Sequence, residues 1–268
     1  MLDNPRSPTV RAVAKLAKKQ RRSEARLFLV EGPQAAREAL AFRSDVVRDV
    51  FVTASGRDRN PDIMAMAARA ELTVTLVSDA VLEAMADTVT PQGVLAVASY
   101  IDVPLESAIS ASSRHVVVLH QVKDPGNVGN IIRTADAAGV DAVIVTSESV
   151  DVFNPKVVRA TTGSVFHIPV VTDASLPDVV SVLNRHGISV LATDAGGKNL
   201  GHVSRDGELG GPIAWLLGNE AHGLSPEDEA LADAVVSVPM FGHAESLSLQ
   251  TAAAICIYQA ALAQHSAR

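Results

Sequence analysis

Three short segments hold the residues from which chemistry could be built. Asp124-Pro-Gly-Asn-Val-Gly-Asn-Ile-Ile-Arg133 sets an amide at Asn127 and a guanidinium at Arg133 around two glycines. Leu217-Gly-Asn-Glu-Ala-His-Gly-Leu224 places Glu220 directly after an apolar run. Glu245-Ser246-Leu247-Ser248 lies between a β-branched run ending at Pro239 and an alanine-rich stretch that reads as a long helix. A buried strand that leads through a polar loop into a helix turns backbone N–H groups and hydroxyls toward a ligand. The first segment has the same form, so Asn127 and Gly129 are expected near positively polarised N–H groups. An arginine in the first turns of that helix works against its dipole, and an anionic partner explains it.

Other chemistries lack their residues. No glycine-rich dinucleotide or phosphate loop occurs, no H-E-x-x-H pair, and no G-x-S-x-G elbow. Cys256 is the single cysteine, which excludes an internal disulfide and a cysteine-cluster metal site and suits a reducing cytoplasm. No metal is expected. The first residues are polar and basic, unlike a signal peptide, and no apolar run approaches the ~20 residues needed to cross a bilayer. A cytoplasmic protein without a membrane partner is the expectation.

The elements that must position these residues fall into two sets. In the first hundred residues helices are expected at about 8–21, 33–41, 61–70 and 79–87, and strands at 27–31, 47–53, 72–77 and 94–100. Residues 105–114 are small and polar and read as a link. Beyond it, strands are expected at 115–119, 142–146, 166–171, 188–193, 213–217 and 235–238. Helices are expected at about 128–138, 155–163, 176–186 and 246–263. Several strands, such as Val116-Val-Val-Leu119, are apolar throughout, which indicates burial on both faces and hence an α/β fold with a parallel sheet.

In order and spacing the three segments resemble the motifs of the SpoU (TrmH-type) RNA 2′-O-ribose methyltransferases of the SPOUT superfamily, nearest to the thiostrepton-resistance subgroup. Lys18 to Gly32, with Phe28-Leu-Val-Glu-Gly, resembles the ribosomal-protein-like RNA-binding domain attached to many members. The resemblance implies a small α/β RNA substrate-binding domain over 1–104, a link over 105–114, and a SPOUT methyltransferase domain over 115–268. The latter is expected to carry a trefoil knot formed from about residue 215 onward. It implies S-adenosylmethionine as cofactor, a homodimer, and an RNA substrate, ribosomal before transfer RNA.

Carried over position by position, the resemblance makes Asn127, Arg133, Glu220, Ser246 and Ser248 the catalytic set. Arg133 stabilises phosphate and alkoxide, Asn127 and the two serines orient the ribose, and Glu220 holds the arginine or the third-motif loop. The cofactor positions implied are Thr193, Asp194, Leu217, Gly218, Val238, Met240, Ser246 and Leu247. Ser248 departs from the family's asparagine and lacks the reach and second donor of an amide; a catalytically silent RNA-binding paralogue is the alternative that this change suggests.

The net charge of −7 is unevenly spread: residues 1–30 hold eight basic against two acidic side chains, leaving −13 for the remainder. Local potential governs polyanion binding more than the total does. On one continuous helix Arg11, Lys15, Lys18, Lys19 and Arg22 share a face, so they are expected to bind RNA. Arg133 and Arg159, the latter in Asn154-Pro-Lys-Val-Val-Arg-Ala-Thr-Thr-Gly163, complete that set by resemblance, Arg159 reaching RNA or a neighbouring subunit.

Overall fold

A six-stranded sheet, parallel throughout, carries all three motif segments at one edge. The computed structural model describes residues 1–266, so positions 267 and 268 of the expected second domain lie outside it. The chain divides into two compact units: Met1–Ile101 with Asp151–His167, and Asp102–Val150 with Ile168 onward. It therefore passes between them three times.

In the first unit, strands β1 (Leu27–Glu31), β2 (Val47–Val52), β3 (Val74–Leu76) and β4 (Val94–Ser99) form one sheet. Their order is β1-β4-β2-β3, antiparallel except for the β2–β3 pair. One face is closed by Val10, Val13 and Leu16 with Val81, Leu82 and Met85. An aromatic cluster seats the Asp151–His167 segment: Phe153 lies 4.9 Å from Phe28 and stacks on Tyr100 at 3.9 Å, and Phe166 stacks on Phe28.

The expected N-terminal helix is not continuous. Pro8–Ala14 is α-helical, Lys15–Ala17 is a single 3₁₀ turn, and Lys18 is extended (φ −95°, ψ 127°) before a second helix over Lys19–Ala25. Burying Leu16 in the sheet's core sets that turn, and the break removes the shared basic face. Arg22 is 1% exposed: its guanidinium donates to Asp151 at 2.5 and 3.1 Å and to the carbonyls of Leu16 and Ala17 at 2.8 Å. It leaves the exposed set, whereas Arg11, Lys15, Lys18 and Lys19 remain on the surface.

In the second unit the strands are β5 (His115–Leu119), β6 (Ala142–Thr146), β7 (Val170–Ala174), β8 (Ser189–Asn199), β9 (Ile213–Leu217) and β10 (Ala234–Ser237). Their order is β10-β8-β9-β5-β6-β7. Val118 pairs with Ile144 on one side and Leu216 on the other, and every residue of β5, β6 and β9 is buried, which their mostly apolar composition serves. β7 begins later than expected from 166, because Phe166 sits in the aromatic cluster within a 3₁₀ turn, Ser164–Phe166. Residues 104–114 contain a short helix, Leu105–Ala108, and Ala108 and Ile109 are buried in the second unit's core. Among the described residues no helix is long and apolar enough to cross a membrane.

Candidate active site

Chain order makes a crevice between two neighbouring strands. β5 leads to β6 on one side of it, while β9 leads to β10 on the other, so the loops leaving β5 and β9 diverge. In open α/β sheets such a divergence at the carboxyl edge is where ligands bind.

Glu220 closes this crevice at its base. Its carboxylate accepts from the backbone N–H of Asp124 at 2.9 Å and of Lys123 at 3.1 Å, and from Asn127 Nδ2 at 3.1 Å. Partial burial pushes its pKa up, but the Asp124 N–H and the further hydrogen bonds outweigh this and hold it below the ordinary carboxylate value. Asp124 Oδ1 in turn accepts from the Asn127 N–H at 2.8 Å and caps the helix Pro125–Ala137. Glu220 was expected to hold Arg133 or the third-motif loop; it holds the first-motif loop instead. Asn127 keeps its Oδ1 for a ligand.

Arg133 lies nine residues into that helix of thirteen. The helix starts at Pro125, three residues earlier than expected, so the arginine is in its C-terminal half and the dipole no longer opposes it. Its side chain is exposed and, among the described residues, makes no hydrogen bond or ion pair. An exposed guanidinium without a carboxylate beside it is free to meet an anion.

The loop leaving β9 is tightly built. Asn219 and Gly223 exchange backbone hydrogen bonds at 3.0 Å, and Asn219 Nδ2 donates to the Gln121 carbonyl at 2.8 Å. A Cβ on Gly218 would lie 2.6 Å from the Gly223 carbonyl carbon, so only glycine fits there. Asp194, within β8, reaches the same turn: its Oδ2 would be 3.6 Å from a Cβ on Gly223. Thr193 donates to the Leu216 carbonyl at 3.4 Å, and Leu217 is fully buried beneath the loop.

The third segment is open by contrast. From Val238 to Leu247 no backbone hydrogen bond forms among the described residues. Met240, Phe241 and Leu247 expose 38, 94 and 36% of their surface. The last helix begins at Leu249, not 246, so Ser246 stays in the loop; Ser248 Oγ lies 2.7 Å from Thr251 Oγ1 at the helix start. Asn130 donates to Gln250 at 2.6 Å and ties the first-motif helix to this one. Sequence reasoning missed both Asn130 and Gln250, and nothing short of the fold pairs residues 120 positions apart.

Arg159, in the first unit, is not free. It donates to Glu31 at 3.1 Å and to Asp87 at 3.0 Å. Among the described residues no cluster of three His, Cys, Asp or Glu is placed to hold a metal ion.

Comparison with known proteins identifies the family. Residues 114–258 match the model of the SpoU rRNA Methylase family, more than half of the chain. The chain belongs to the SpoU family. Residues 7–96 match an MRM3-like substrate binding domain. Among SpoU-type relatives, the 23S rRNA (guanosine(2553)-2′-O)-methyltransferase RlmP of Bacillus subtilis is 33% identical, over 96% of this chain and 97% of its own length. The AdoMet-bound rRNA methyltransferase of Sinorhizobium meliloti superposes with a TM-score of 0.84 at 30% identity, covering 97% and 96% of the two chains. AviRb from Streptomyces viridochromogenes, a SpoU methyltransferase solved with the cofactor AdoMet, gives 0.83 at 28%, covering 98% and 100%.

Proposed function

We propose that this protein methylates the 2′-oxygen of one nucleotide in structured RNA, with ribosomal RNA as the substrate and S-adenosylmethionine as the methyl donor. One observation carries the geometric side of this reading. A partnerless Arg133 stands on the helix whose start Glu220 and Asn127 fasten at the sheet's switch point. Family membership and the activities of full-length relatives favour ribosomal over transfer RNA.

The middle of β8 and the loops leaving β9 and β10 fit the cofactor. Gly218 lets the Gly223 backbone fold back against it and so shapes the loop, and Met240 and Leu247 offer apolar surface for a purine face. Thr193, Asp194, Leu217, Val238 and Ser246 complete the proposed pocket. S-adenosylmethionine supplies an electrophilic methyl group on a sulfonium.

The chain's own residues supply position and charge. Arg133 binds the phosphate next to the target ribose and stabilises the negative charge that grows on the 2′-oxygen as its proton passes to solvent water. Always protonated, a guanidinium serves this role better than that of a literal base. Asn127 Oδ1, Ser246 and Ser248 accept from or donate to the ribose and hold its oxygen in line. Glu220 is a positioning residue: with Lys123, Asp124 and Asn127 bound to it, it fixes where the helix begins.

The proposal extends to organisation. The first unit, Met1–Ile101 with Asp151–His167, binds the RNA substrate, and the second, Asp102–Val150 with Ile168 onward, is the methyltransferase unit, knotted from about residue 215 onward; the expected link over 105–114 belongs to the second unit. A homodimer is supported by Ile255, Tyr258 and Leu262, an apolar stripe at helical spacing that is 38, 43 and 61% exposed. A cytoplasmic location belongs to the same reading, since ribosomal RNA is its substrate.

The test is transfer of a tritiated methyl group to an unmodified 23S rRNA transcript without added metal. The product should resist alkaline cleavage at one nucleotide, since a 2′-O-methyl group removes the attacking hydroxyl. Label on a base, with every linkage still alkali-sensitive, would refute the assignment.

A further inference from the structure

Outside the crevice, the N-terminal unit encloses a cavity of about 300 Å³ beside Gly32. We infer that it receives one unstacked nucleobase of the RNA, which rests on the RNA reading above.

The charges at its floor are already matched. Glu31, its side chain 3% exposed, accepts from the N–H groups of Asp87 and Thr88 at 3.1 and 3.0 Å and from Arg159 at 3.1 Å. The other end of Arg159 reaches Asp87 at 3.0 Å. One cation faces two carboxylates, so no surplus positive charge remains to hold a phosphate. What lines the opening is neutral: the primary amides of Gln34 and Gln92 and the hydroxyls of Thr88, Thr90 and Thr162. Such groups both donate and accept, as the edge of a nucleobase requires.

Shape and surface agree with chemistry. Gly32 has φ 91°, and a Cβ there would lie 3.6 Å from Gln92 Oε1, narrowing the mouth. Ala35 adds an apolar patch to the lining. A volume near 300 Å³ is at the small end of ligand pockets, enough for a base and too small for a folded segment. Gln34 now bonds only to Glu38 and Arg37 on its own helix, surface contacts that a ligand can replace.

The experiment compares the full chain with a Gln34→Ala/Gln92→Ala variant. Both glutamines are exposed, so the thermal midpoint should not move. The probes are fluorescent single-stranded homopolymers of each of the four bases, titrated across a salt series. The variant should bind one homopolymer roughly tenfold more weakly and the others within about twofold. The log–log salt slope should be unchanged, because the substitutions remove no cation from the RNA backbone.

Equal weakening of all four with a shallower slope would mean a phosphate site and overturn the inference. So would four unchanged affinities, or a wild type that binds none of the probes. As a second measurement, the side-chain amide resonances of Gln34 and Gln92 in the wild type should shift with only the preferred nucleoside monophosphate; no shift overturns the pocket. Methyl transfer to the 23S transcript judges the catalytic reading separately. A wild type that transfers no methyl refutes catalysis while the homopolymers still judge the pocket.

Discussion

Arg22 and Arg133 are the same side chain put to opposite uses. Arg22 is enclosed, with four hydrogen bonds to Asp151 and two carbonyls. Arg133 stands on a helix surface with no partner among the described residues. Neither fate follows from charge or from spacing in the sequence. A cation's role is decided by whether the fold brings carboxylates and carbonyls to it, and only the cations left over can answer to RNA.

The strongest break of this contrast is Arg22→Ala. Removing it leaves Asp151 with an unmatched, largely buried charge, and loss of one member of a buried pair costs about 3–5 kcal/mol. Chemical denaturation should show this, while the salt slope for RNA binding of the folded fraction stays the same. A stable variant with a shallower slope would mean that Arg22 is a phosphate ligand after all.

Next comes Arg133→Ala. Methyl transfer to the 23S transcript should fall by roughly 10²–10³-fold, with the thermal midpoint and S-adenosylmethionine affinity unchanged. Full activity in the folded variant would remove Arg133 from the reaction.

A smaller effect is expected at the exposed N-terminal lysines. Replacing Lys15, Lys18 and Lys19 together by alanine should lower the magnitude of the salt slope by about 0.7–0.9 for each of them that neutralises a phosphate. Binding should weaken most at low salt. An unaltered slope would make them a solvated surface only.

The smallest effect concerns a histidine that the fold keeps uncharged. His115 is 3% exposed, and burial pushes its pKa from 6.5 down to about 4, against a weaker upward pull from Asp141. Above pH 6.5 both folded and unfolded chains carry it neutral and stability is unaffected. As pH falls from 6.5 toward 4 the unfolded chain takes up the proton first, so stability is lost across that window. At one pH unit below 6.5 the loss is on the order of 1 kcal/mol. His115→Gln should flatten the acid limb of a denaturation series, and an identical limb would assign it elsewhere.

Much of the catalytic unit was legible in the sequence because its signals are local. β5, β6 and β9 lie where the apolar runs put them, and Glu220 emerges after the strand that its motif required. What could not be read were consequences of packing between distant segments. Phe166 was expected to open a strand, yet its ring is claimed by Phe28. The basic helix breaks at Lys18 because Leu16 is drawn into the core. Glu220 and Asn127 were visible as residue types, whereas their hydrogen bond spans 93 positions.

The segment Asp151–His167 has a consequence for anyone wishing to exchange parts among such enzymes. It leaves the catalytic half of the chain to bury Phe153 and Phe166 against Phe28 and to give Arg22 its carboxylate. A chimera cut at residue 101 would inherit two aromatic rings and an aspartate tailored to a domain it no longer has. The recognition module is thus discontinuous in sequence, and a graft that is to retarget the enzyme must transplant both pieces together.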